Sequence, residues 1–523
     1  MKKIYCLVAG IVVLASCKKN GLPETSSTEQ NRNAPAVTSE RQESTSFSQI
    51  GIIDIGNTGA AEISAYDPDT KKLFVVNNTS GNNRIDVINL TNPAAPALLS
   101  SISVAPYGGL VNSVYVSNGK VAAAIEATIK TSPGKVAVFN TTTHAEIAVR
   151  TVGSLPDMVC FSPDGKYILT ANEGEPNDSY TIDPMGTVSI VDVENNYTVT
   201  TLDFGGFAGQ VNELKAKGLR VYGPNASFAQ DMEPEYIAVS SNSGTAWVTL
   251  QENNAIAKID MLTKTITDIF PLGFKNFNLP ENAIDPSDSN NDAIFGTWPV
   301  KGIYCPDAVA LIPNEGMPFL FTANEGDARE YSAFTENKRI GNATVILDPA
   351  AFPNAAALKT NAQLGRLNIT TTLGDTDNDG DFDELYAPGG RSFSIWNGNT
   401  GALMFDSKNE LDVKSDEAGF YADSRSDDKG VEPEGLAIGK VGNNNMLFVG
   451  MERADAVAVY DIINPIRPVF RQMLGNHGGV LGAGPGIGPE GVLFVPADKS
   501  PNGKSMLIVS FEVDGVIKIY STQ

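Results

Sequence analysis

One pattern of apolar and polar positions recurs along most of the chain. Each copy contains a short apolar strand, a tight turn, a second strand that ends in Asn or Glu, and two further strands. In the clearest copy, residues 234–270, the segments PEYIAVS, TAWVTLQENN, AIAKIDM and KTITDIF follow one another. Apolar residues that alternate between turns rich in Gly, Asn and Asp predict β-strands. Seven copies are recognisable, and they begin near Glu62, Ser113, Pro156, Pro234, Asp307, Glu434 and Glu490.

This repeat predicts an all-β fold, a seven-bladed β-propeller. The seventh copy stops after its third strand, at Tyr520, so one strand of the last blade is missing there. A strand-like run at residues 47–55, before the first copy, has the length and alternation to supply it. We therefore expect an N-terminal strand to close the ring, which leaves no sheet edge open. A β-sandwich or a β-solenoid with similar strand spacing is the alternative.

The fifth copy contains a long interruption. Its second strand lies in FLFTANEG (319–326) and its third in SFSIWN (392–397), with about 65 residues between them. We expect a single loop insertion at about residues 327–391, because this segment has too few periodic apolar residues for a core of its own. A small subdomain is the alternative.

The first 17 residues, MKKIYCLVAGIVVLASC, have the features of a bacterial export signal. Two lysines precede an apolar run that is too short to span a bilayer as a helix. The end of this run, Leu14 to Cys17, resembles a lipobox. We therefore expect residues 1–16 to be removed as a lipoprotein signal peptide and Cys17 to carry the lipid. An ordinary signal peptide with an incidental cysteine is the alternative.

Residues 17–46 are polar and almost free of large apolar side chains, which predicts a lipidated, flexible tether before a folded domain at 47–523. The anchor indicates the cell envelope of a Gram-negative bacterium. Because Lys18 is not the Asp that favours retention at the inner membrane, we expect the outer membrane. Such an envelope permits disulfides, but Cys160 and Cys305 fall two blades apart, so we expect both to be small buried apolar side chains.

The charge balance excludes several classes of function. Thirty-eight Lys and Arg residues face 61 Asp and Glu residues, a formal net charge of −23. A nucleic-acid backbone would repel such a chain, so we expect no nucleic-acid partner. His144 and His477 are the two histidines, too few for a histidine-based zinc site and unfavourable for a Ser-His-Asp triad. Carboxylates therefore become the main candidates for chemistry.

Acidic residues recur at two positions of the repeat. One opens the first strand, and a second closes the second strand. The two strands are antiparallel, so both sets should lie on one rim, at the mouth of the central channel. The first set is Glu62, Asp157, Glu235, Asp307, Glu434 and Glu490, and the second is Glu126, Glu173, Glu252, Glu325, Glu452 and Glu512, with Glu233 and Glu432 beside them.

So many ionised carboxylates repel one another unless cations or protons intervene. Oxygen ligands without histidine or thiolate favour calcium or magnesium. Four basic residues, Lys301, Arg329, Arg391 and Arg453, are expected on the same rim, where they would help to recognise a small anionic ligand or phosphoester bridged by metal. The alternative is that these acids only cap turns, and that the repeat duplicated the caps.

A sharper metal signal lies inside the insertion. Asp375, Asp377, Asp379 and Asp383 take positions 1, 3, 5 and 9 of an EF-hand-like loop, and Gly380 takes position 6. The backbone carbonyl of Asp381 is a further expected ligand. Position 12 departs from the pattern, because Tyr386 replaces the usual Glu. We expect a bare calcium loop that orders a flap over the channel mouth; a solvated acidic loop is the alternative.

Several motifs together resemble the choice-of-anchor I family. They include Leu155-Pro-Asp-Met-Val, Ala171-Asn-Glu-Gly-Glu-Pro, Glu233-Pro-Glu-Tyr-Ile, Asn324-Glu-Gly-Asp-Ala-Arg and Glu432-Pro-Glu-Gly. The resemblance spans roughly residues 47–521. It implies a secreted or surface-attached protein whose anchor differs between members. The label alkaline phosphatase-like, often given to such proteins, implies catalysis less firmly, and no catalytic residue transfers with it.

We therefore expect an envelope lipoprotein, a calcium-binding β-propeller that binds a ligand at its acidic rim. One alternative is a calcium-dependent phosphoesterase at the same rim. The other is a structural or adhesion protein that calcium makes rigid. If the protein is an enzyme, the candidate catalytic residues are Glu235, Glu434, Asp307, Arg329, Arg391 and Lys301.

Overall fold

The computed structural model describes residues 43–79, 81–290, 292–312, 316–475 and 485–523. The signal peptide expected at 1–16, the lipidated Cys17, most of the tether and His477 lie outside these ranges. Within them, no helix is both long and apolar enough to cross a membrane.

Seven four-stranded antiparallel sheets account for most of the described residues. The N-terminal strand is β1 (Phe47–Asp54). The first sheet contains β2 (Ala60–Asp67), β3 (Lys72–Asn77), β4 (Arg84–Asn89) and β5 (Ala97–Ser103). The second contains β6 (Val111–Ser117), β7 (Lys120–Ile125), β8 (Pro133–Asn140) and β9 (Glu146–Ser154). The third contains β10 (Pro156–Phe161), β11 (Tyr167–Asn172), β12 (Thr187–Asp192) and β13 (Thr198–Asp203).

The remaining sheets continue this order along the chain. The fourth contains β14 (Pro234–Val239), β15 (Thr245–Leu250), β16 (Ala255–Asp260) and β17 (Thr265–Pro271). The fifth contains β20 (Val309–Ile312), β21 (Phe319–Asn324), β27 (Ser392–Asn397) and β28 (Leu403–Asp406). The sixth contains β29 (Pro433–Val441), β30 (Asn444–Met451), β31 (Ala456–Asp461) and β32 (Val469–Gly475). The seventh contains β33 (Pro489–Val495), β34 (Met506–Phe511) and β35 (Val516–Thr522), together with β1.

Short elements fill the connections between the sheets. The strands are β18 (Phe274–Asn276), β19 (Lys301–Ile303), β22 (Glu330–Tyr331), β23 (Phe334–Thr335), β24 (Asn337–Arg339), β25 (Asn368–Thr370) and β26 (Tyr386–Pro388). The helices are α1 (Val211–Ala216), α2 (Ala355–Leu358) and α3 (Glu410–Ala418), with 3₁₀ turns at Gly205–Gln210, Pro280–Asn282, Asp423–Arg425 and Glu452–Ala454.

The first strands of neighbouring sheets contact one another in a closed cycle, β2, β6, β10, β14, β20, β29, β33 and back to β2. Each neighbouring pair of sheets shares a buried apolar cluster. Radial packing of four-stranded sheets around a central channel is the arrangement of a β-propeller. The all-β class predicted from the sequence is confirmed.

The strand expected at 47–55 pairs antiparallel with β35, from Phe47 opposite Thr522 to Asp54 opposite Val516. Phe47 is almost wholly buried, and its ring packs edge-on against Phe448 of the sixth sheet, with centroids 5.2 Å apart. Gln472 fixes the same residue by bonding both its backbone N–H and its carbonyl. The N-terminal strand therefore joins the last two sheets as well as completing the seventh.

The insertion has a core, contrary to the expectation of a single loop without one. Residues 327–391 share a buried apolar cluster with residues 274–303, which connect the fourth and fifth sheets. Leu347, Leu364 and Ile369 from the insertion pack with Phe277 and Val300 from that connection. Ten of the thirteen buried residues of this cluster lie in the insertion itself. We call the two segments together the cap.

Cys160 and Cys305 are both buried, and neither forms a disulfide. This agrees with the expectation that they act as small apolar side chains.

The substitution Phe47→Ala tests whether the N-terminal strand stabilises the fold. Removal of the buried Phe47 ring should lower the free energy of unfolding by about 3–5 kcal/mol, because the cavity left between the sixth and seventh sheets cannot be filled. The control is Ile52→Ala on the same strand, whose side chain is 40% exposed; it should change stability by less than about 0.5 kcal/mol. Chemical denaturation measures both, and equal effects of the two substitutions would contradict this role of the strand.

Candidate functional site

A cavity of about 360 Å³ opens where the seven first strands meet. Each sheet contributes one residue from an equivalent position, in or just before its first strand. These residues are Glu62, Asn112, Asp157, Glu235, Asp307, Glu434 and Glu490. Glu325 and Asp327 also line it, so eight of the described lining residues are acids, while Lys429 and Arg453 are the two bases among them. We call this space the acidic cavity.

Six of these seven residues lie where a first strand slips register against its second strand. In the third sheet, for example, the pairing shifts between Pro156 and Val159, and Asp157 lies within the shift. The same irregularity recurs at Glu62, Asn112, Glu235, Glu434 and Glu490. A bulge releases one residue from the ladder and redirects its side chain. The recurring acids therefore point into the channel instead of alternating between sheet faces.

Buried asparagines fix the ends of two second strands. Asn172 bonds Thr187 and Ser189 of the next strand and accepts a bond from Thr170. Asn324 repeats this arrangement in the fifth sheet, with Ser392 and Ser394 as its partners. In each case the next residue, Glu173 or Glu325, belongs to the second predicted set of acids.

Glu325 is the member of that second set that reaches the acidic cavity. Gln251 donates to one of its oxygens at 2.8 Å, and Lys429 lies 2.7 Å from the other. The other members of the set do not line the cavity; they are Glu126, Glu173, Glu252, Glu452 and Glu512. They still act on it electrostatically, since Glu173 and Glu252 are among the charges that raise the pKa of Glu235.

Glu233 and Glu432 differ from the rest because arginines neutralise them. Arg329 donates to Glu233 at 3.0 Å and lies 2.5 Å from Asp231, and all three side chains are buried. Glu432 accepts from Arg425 at 2.7 Å and faces Lys429 and Arg453 at 3.3 and 3.4 Å. Both acids are therefore paired with bases, and Glu432 also forms a candidate ligand group with Glu325 and Glu452, whose carboxylate oxygens lie within 4.8 Å of one another.

Three of the four basic residues predicted on the rim do not line the acidic cavity. Lys301 pairs with Glu384 at 2.8 Å in the cap. Arg391 is buried and donates to the backbone carbonyls of Asp285, Ser426 and Asp428. Arg329 is held by its carboxylates. A buried guanidinium must satisfy its donors, and here nearby segments of the same polypeptide supply the acceptors. Arg453 does line the cavity.

Sequence reasoning missed Lys429, Asp327 and Asn112. Lys429 lies in the connection before the sixth sheet, outside the repeat, so nothing in the pattern points to it. Asn112 could have been found, because it aligns with the acids of the other first strands.

Burial is the main cause that raises the pKa of the cavity acids. The pKa of Asp157 rises to about 6 through burial and the charge of Glu126, although Lys130 opposes this shift. Burial and neighbouring carboxylates raise the pKa of Glu235, Asp307, Glu434 and Glu490 well above the usual value. One buried oxygen of Glu235 and one of Glu434 have no hydrogen-bond partner among the described residues. The cavity is therefore short of positive charge.

The loop predicted to bind calcium is closed by its own hydrogen bonds. Asp375 accepts from the backbone N–H groups of Asp379 and Gly380, and Asp383 accepts from Thr376. Gly380 has a φ of +101°, which an L side chain would strain.

The side chains of this loop form two candidate ligand groups. Oxygens of Asp375, Asp377 and Asp383 lie within 4.8 Å of one another. Asp348, which the sequence did not indicate, forms a similar group with Asp381 and Asp383. No residue of 375–383 lines the acidic cavity.

Comparison with known proteins gives a family and distant relatives. A family model described as the choice-of-anchor I domain matches residues 62–465. Gigasin-3a of Magallana gigas is 27% identical over 189 residues, 31% of this chain and 66% of the relative. A mesenchyme-specific cell surface glycoprotein of Strongylocentrotus purpuratus is 25% identical over 320 residues, 51% of this chain and 41% of the relative. The matches span less than two thirds of either relative's length.

Two solved structures match this chain at low sequence identity. The hydrazine synthase of Kuenenia stuttgartiensis has a TM-score of 0.47 at 12% identity, covering 89% of this chain and 96% of its own. The Cps50 (Swd1) β-propeller domain of Myceliophteria thermophila has a TM-score of 0.46 at 10% identity, covering 91% of this chain and all of its own.

The raised pKa of Asp157 predicts how stability changes with pH in the presence of a chelator. A carboxyl whose folded pKa is raised stabilises the fold below its unfolded pKa, and this contribution is lost as pH rises through the folded pKa. For Asp157 the loss falls between about pH 4 and about pH 7. Asp157→Asn should therefore flatten the fall of Tm across this window, as measured by scanning calorimetry.

The matched control is Glu194→Gln, which removes a charge from an exposed turn. Its Tm should fall with pH as steeply as that of the wild-type protein. If Tm falls with pH as steeply in Asp157→Asn as in the wild-type protein, the raised pKa assigned to Asp157 is wrong.

Proposed function

Because the chain belongs to the choice-of-anchor I domain family, we propose that it is a surface protein of the cell envelope that binds divalent cations, calcium first, in its acidic cavity. The seven sheets in a closed cycle support a seven-bladed propeller as the scaffold. Calcium in the cavity and in the Asp375–Asp383 loop would act together with a ligand bound at the rim.

The observation that carries this proposal is the charge imbalance of the acidic cavity. Among the described residues, eight acids line it against two bases, and one buried oxygen each of Glu235 and Glu434 has no hydrogen-bond partner. An acceptor in that state needs a cation or a proton. Since the described lining residues include no His or Cys, the donor set suits a hard cation, and calcium accepts six to eight oxygens at flexible geometry.

The Asp375–Asp383 loop supports a second calcium site. The spacing of its acids, the positive φ of Gly380 and the convergence of Asp375, Asp377 and Asp383 fit a bare calcium loop. This site would make the cap rigid, because the loop bonds to the rest of the insertion through the pairing of Phe382 with Leu347.

The phosphoesterase hypothesis receives less support. Three of its candidate acids, Glu235, Glu434 and Asp307, line the cavity. The residues expected to hold the phosphate, Lys301, Arg329 and Arg391, do not, and their donors are engaged elsewhere. Binding is therefore the better account of the cavity.

Calcium binding can be tested by isothermal titration of chelator-treated protein and by the shift of Tm. Saturation at about a hundred times the dissociation constant should stabilise the fold by about 2.7 kcal/mol per site. Glu235→Gln with Glu434→Gln should remove the cavity site, and Asp375→Asn with Asp377→Asn should remove the loop site. Glutamine and asparagine preserve shape but not charge.

Each pair of substitutions serves as the control for the other, and Glu194→Gln should leave both sites intact. If calcium neither binds nor raises the Tm of the wild-type protein, the proposal is wrong and turn capping becomes the better account of the acids. If binding survives in both pairs, the cation lies elsewhere.

We also propose that lipid on Cys17 anchors the protein, most simply to the outer membrane. The lipobox-like Leu14–Cys17 sequence and the polar tether after it support this. Cys17→Ser should release the protein from washed membranes into the soluble fraction, as measured by immunoblotting. The control is Cys160→Ser, at a buried position, which should stay with the membranes. Retention of processed Cys17→Ser in the membrane fraction would exclude the lipid anchor.

A further inference from the structure

A second cavity, of about 430 Å³, lies beside the acidic cavity. Four basic side chains line it, and we call it the basic pocket. Arg339 comes from β24 of the cap, Arg425 and Lys429 come from the connection before the sixth sheet, and Arg453 lies in the turn after β30. None of these residues except Arg453 belongs to the sites indicated by the sequence.

The basic pocket adjoins the acidic cavity. They share three lining residues, Asp327, Lys429 and Arg453. Lys429 marks the boundary, because its ammonium lies 2.7 Å from Glu325 of the acidic cavity and 3.5 Å from Asp327. A charge bound in one space would therefore act on side chains that also line the other.

Two guanidinium groups keep donors for a ligand. Within the described ranges, the hydrogen bonds of Arg339 all leave from Nη1, to the carbonyls of Arg366 and Asp427, and its ion pairs also use Nη1. Arg453 pairs through Nη1 with Glu452 and through Nε with Glu432. Both side chains are about one third exposed. A planar guanidinium fork matches the oxygens of sulfate or phosphate.

Acids in the lining offset this positive charge when no cation is present. Asp327, Glu330 and Asp428 also line the pocket, and Glu325 holds the Lys429 ammonium. A divalent cation in the acidic cavity would compete for the oxygens of Glu325 and Asp327. Lys429, which pairs with both of these acids, would then face the pocket with less of its charge neutralised.

We propose that the basic pocket binds a tetrahedral oxyanion group, a sulfate or a phosphate ester, and that a divalent cation in the acidic cavity strengthens this binding. The coupling between the two rests on the proposed function, whereas the oxyanion site itself does not. The strengthening is reciprocal, because each ligand must raise the affinity of the other by the same factor.

The experiment is a calorimetric titration of the wild-type protein with inorganic sulfate and, separately, with methyl phosphate. Each titration is run in chelator and again with saturating calcium, at constant ionic strength kept with chloride. Both oxyanions should bind at least about fivefold more tightly with calcium. A preference for one of them identifies the ligand group as a sulfate or as a phosphate ester.

Two variants locate the site. Arg339→Gln and Arg453→Gln should each weaken oxyanion binding about tenfold or more, because each removes a charge-assisted hydrogen bond. Arg453→Gln is the safer variant for folding, since Glu432 keeps Arg425 and Lys429 as partners. The control is Arg471→Gln. Arg471 is an exposed arginine on β32, the outer strand of the sixth sheet, and it pairs with Asp461. This variant should bind the oxyanions like wild type.

The site is refuted if neither oxyanion binds, whether calcium or chelator is present. It is also refuted if the wild-type protein and both variants bind the oxyanions with equal affinity. Oxyanion binding that calcium leaves unchanged would overturn the coupling but keep the pocket. Failure of calcium itself to bind would refute the proposed function, and the titration in chelator would still decide the pocket.

Discussion

Mutual repulsion among carboxylates is the constraint on which the centre of this molecule depends. The repeat places an acid at the same point of six first strands, and closure of the ring brings all six to one cavity. Two unit charges 4 Å apart at an effective dielectric constant of 20 repel by about 4 kcal/mol. A few such pairs would consume the whole stability of an ordinary domain, about 5–15 kcal/mol. The cavity is therefore tolerable only with bound protons or cations.

Apolar packing around the cavity offsets this electrostatic repulsion. Every pair of neighbouring sheets shares a buried apolar cluster, and the N-terminal strand joins the last two sheets through Phe47. Arginines pair with acids beside the cavity, as Arg329 does with Glu233. Inside it, Glu235 and Glu434 each keep a buried oxygen without a hydrogen-bond partner among the described residues. Among the described lining residues, Lys429 and Arg453 supply the positive charge, and both also line the basic pocket.

The repeat predicted the fold and the first set of acids because equivalent residues of a repeat occupy equivalent places around a ring. The bases could not be placed in this way. Arg391 and Lys429 both lie outside the repeated strands, and whether an arginine meets a ligand or a backbone carbonyl depends on contacts distant in sequence. The cap was missed for a similar reason, since Phe277 and Leu364 belong to segments that form one core only when the chain folds.

The most direct test of the central claim is a crystal structure of the chelator-treated protein soaked in calcium, with anomalous diffraction recorded to locate the ions. The account predicts an anomalous peak within the acidic cavity, coordinated by the oxygens of Glu235 or Glu434. A fully calcium-loaded crystal with peaks in the Asp375–Asp383 loop and none in the cavity would contradict it.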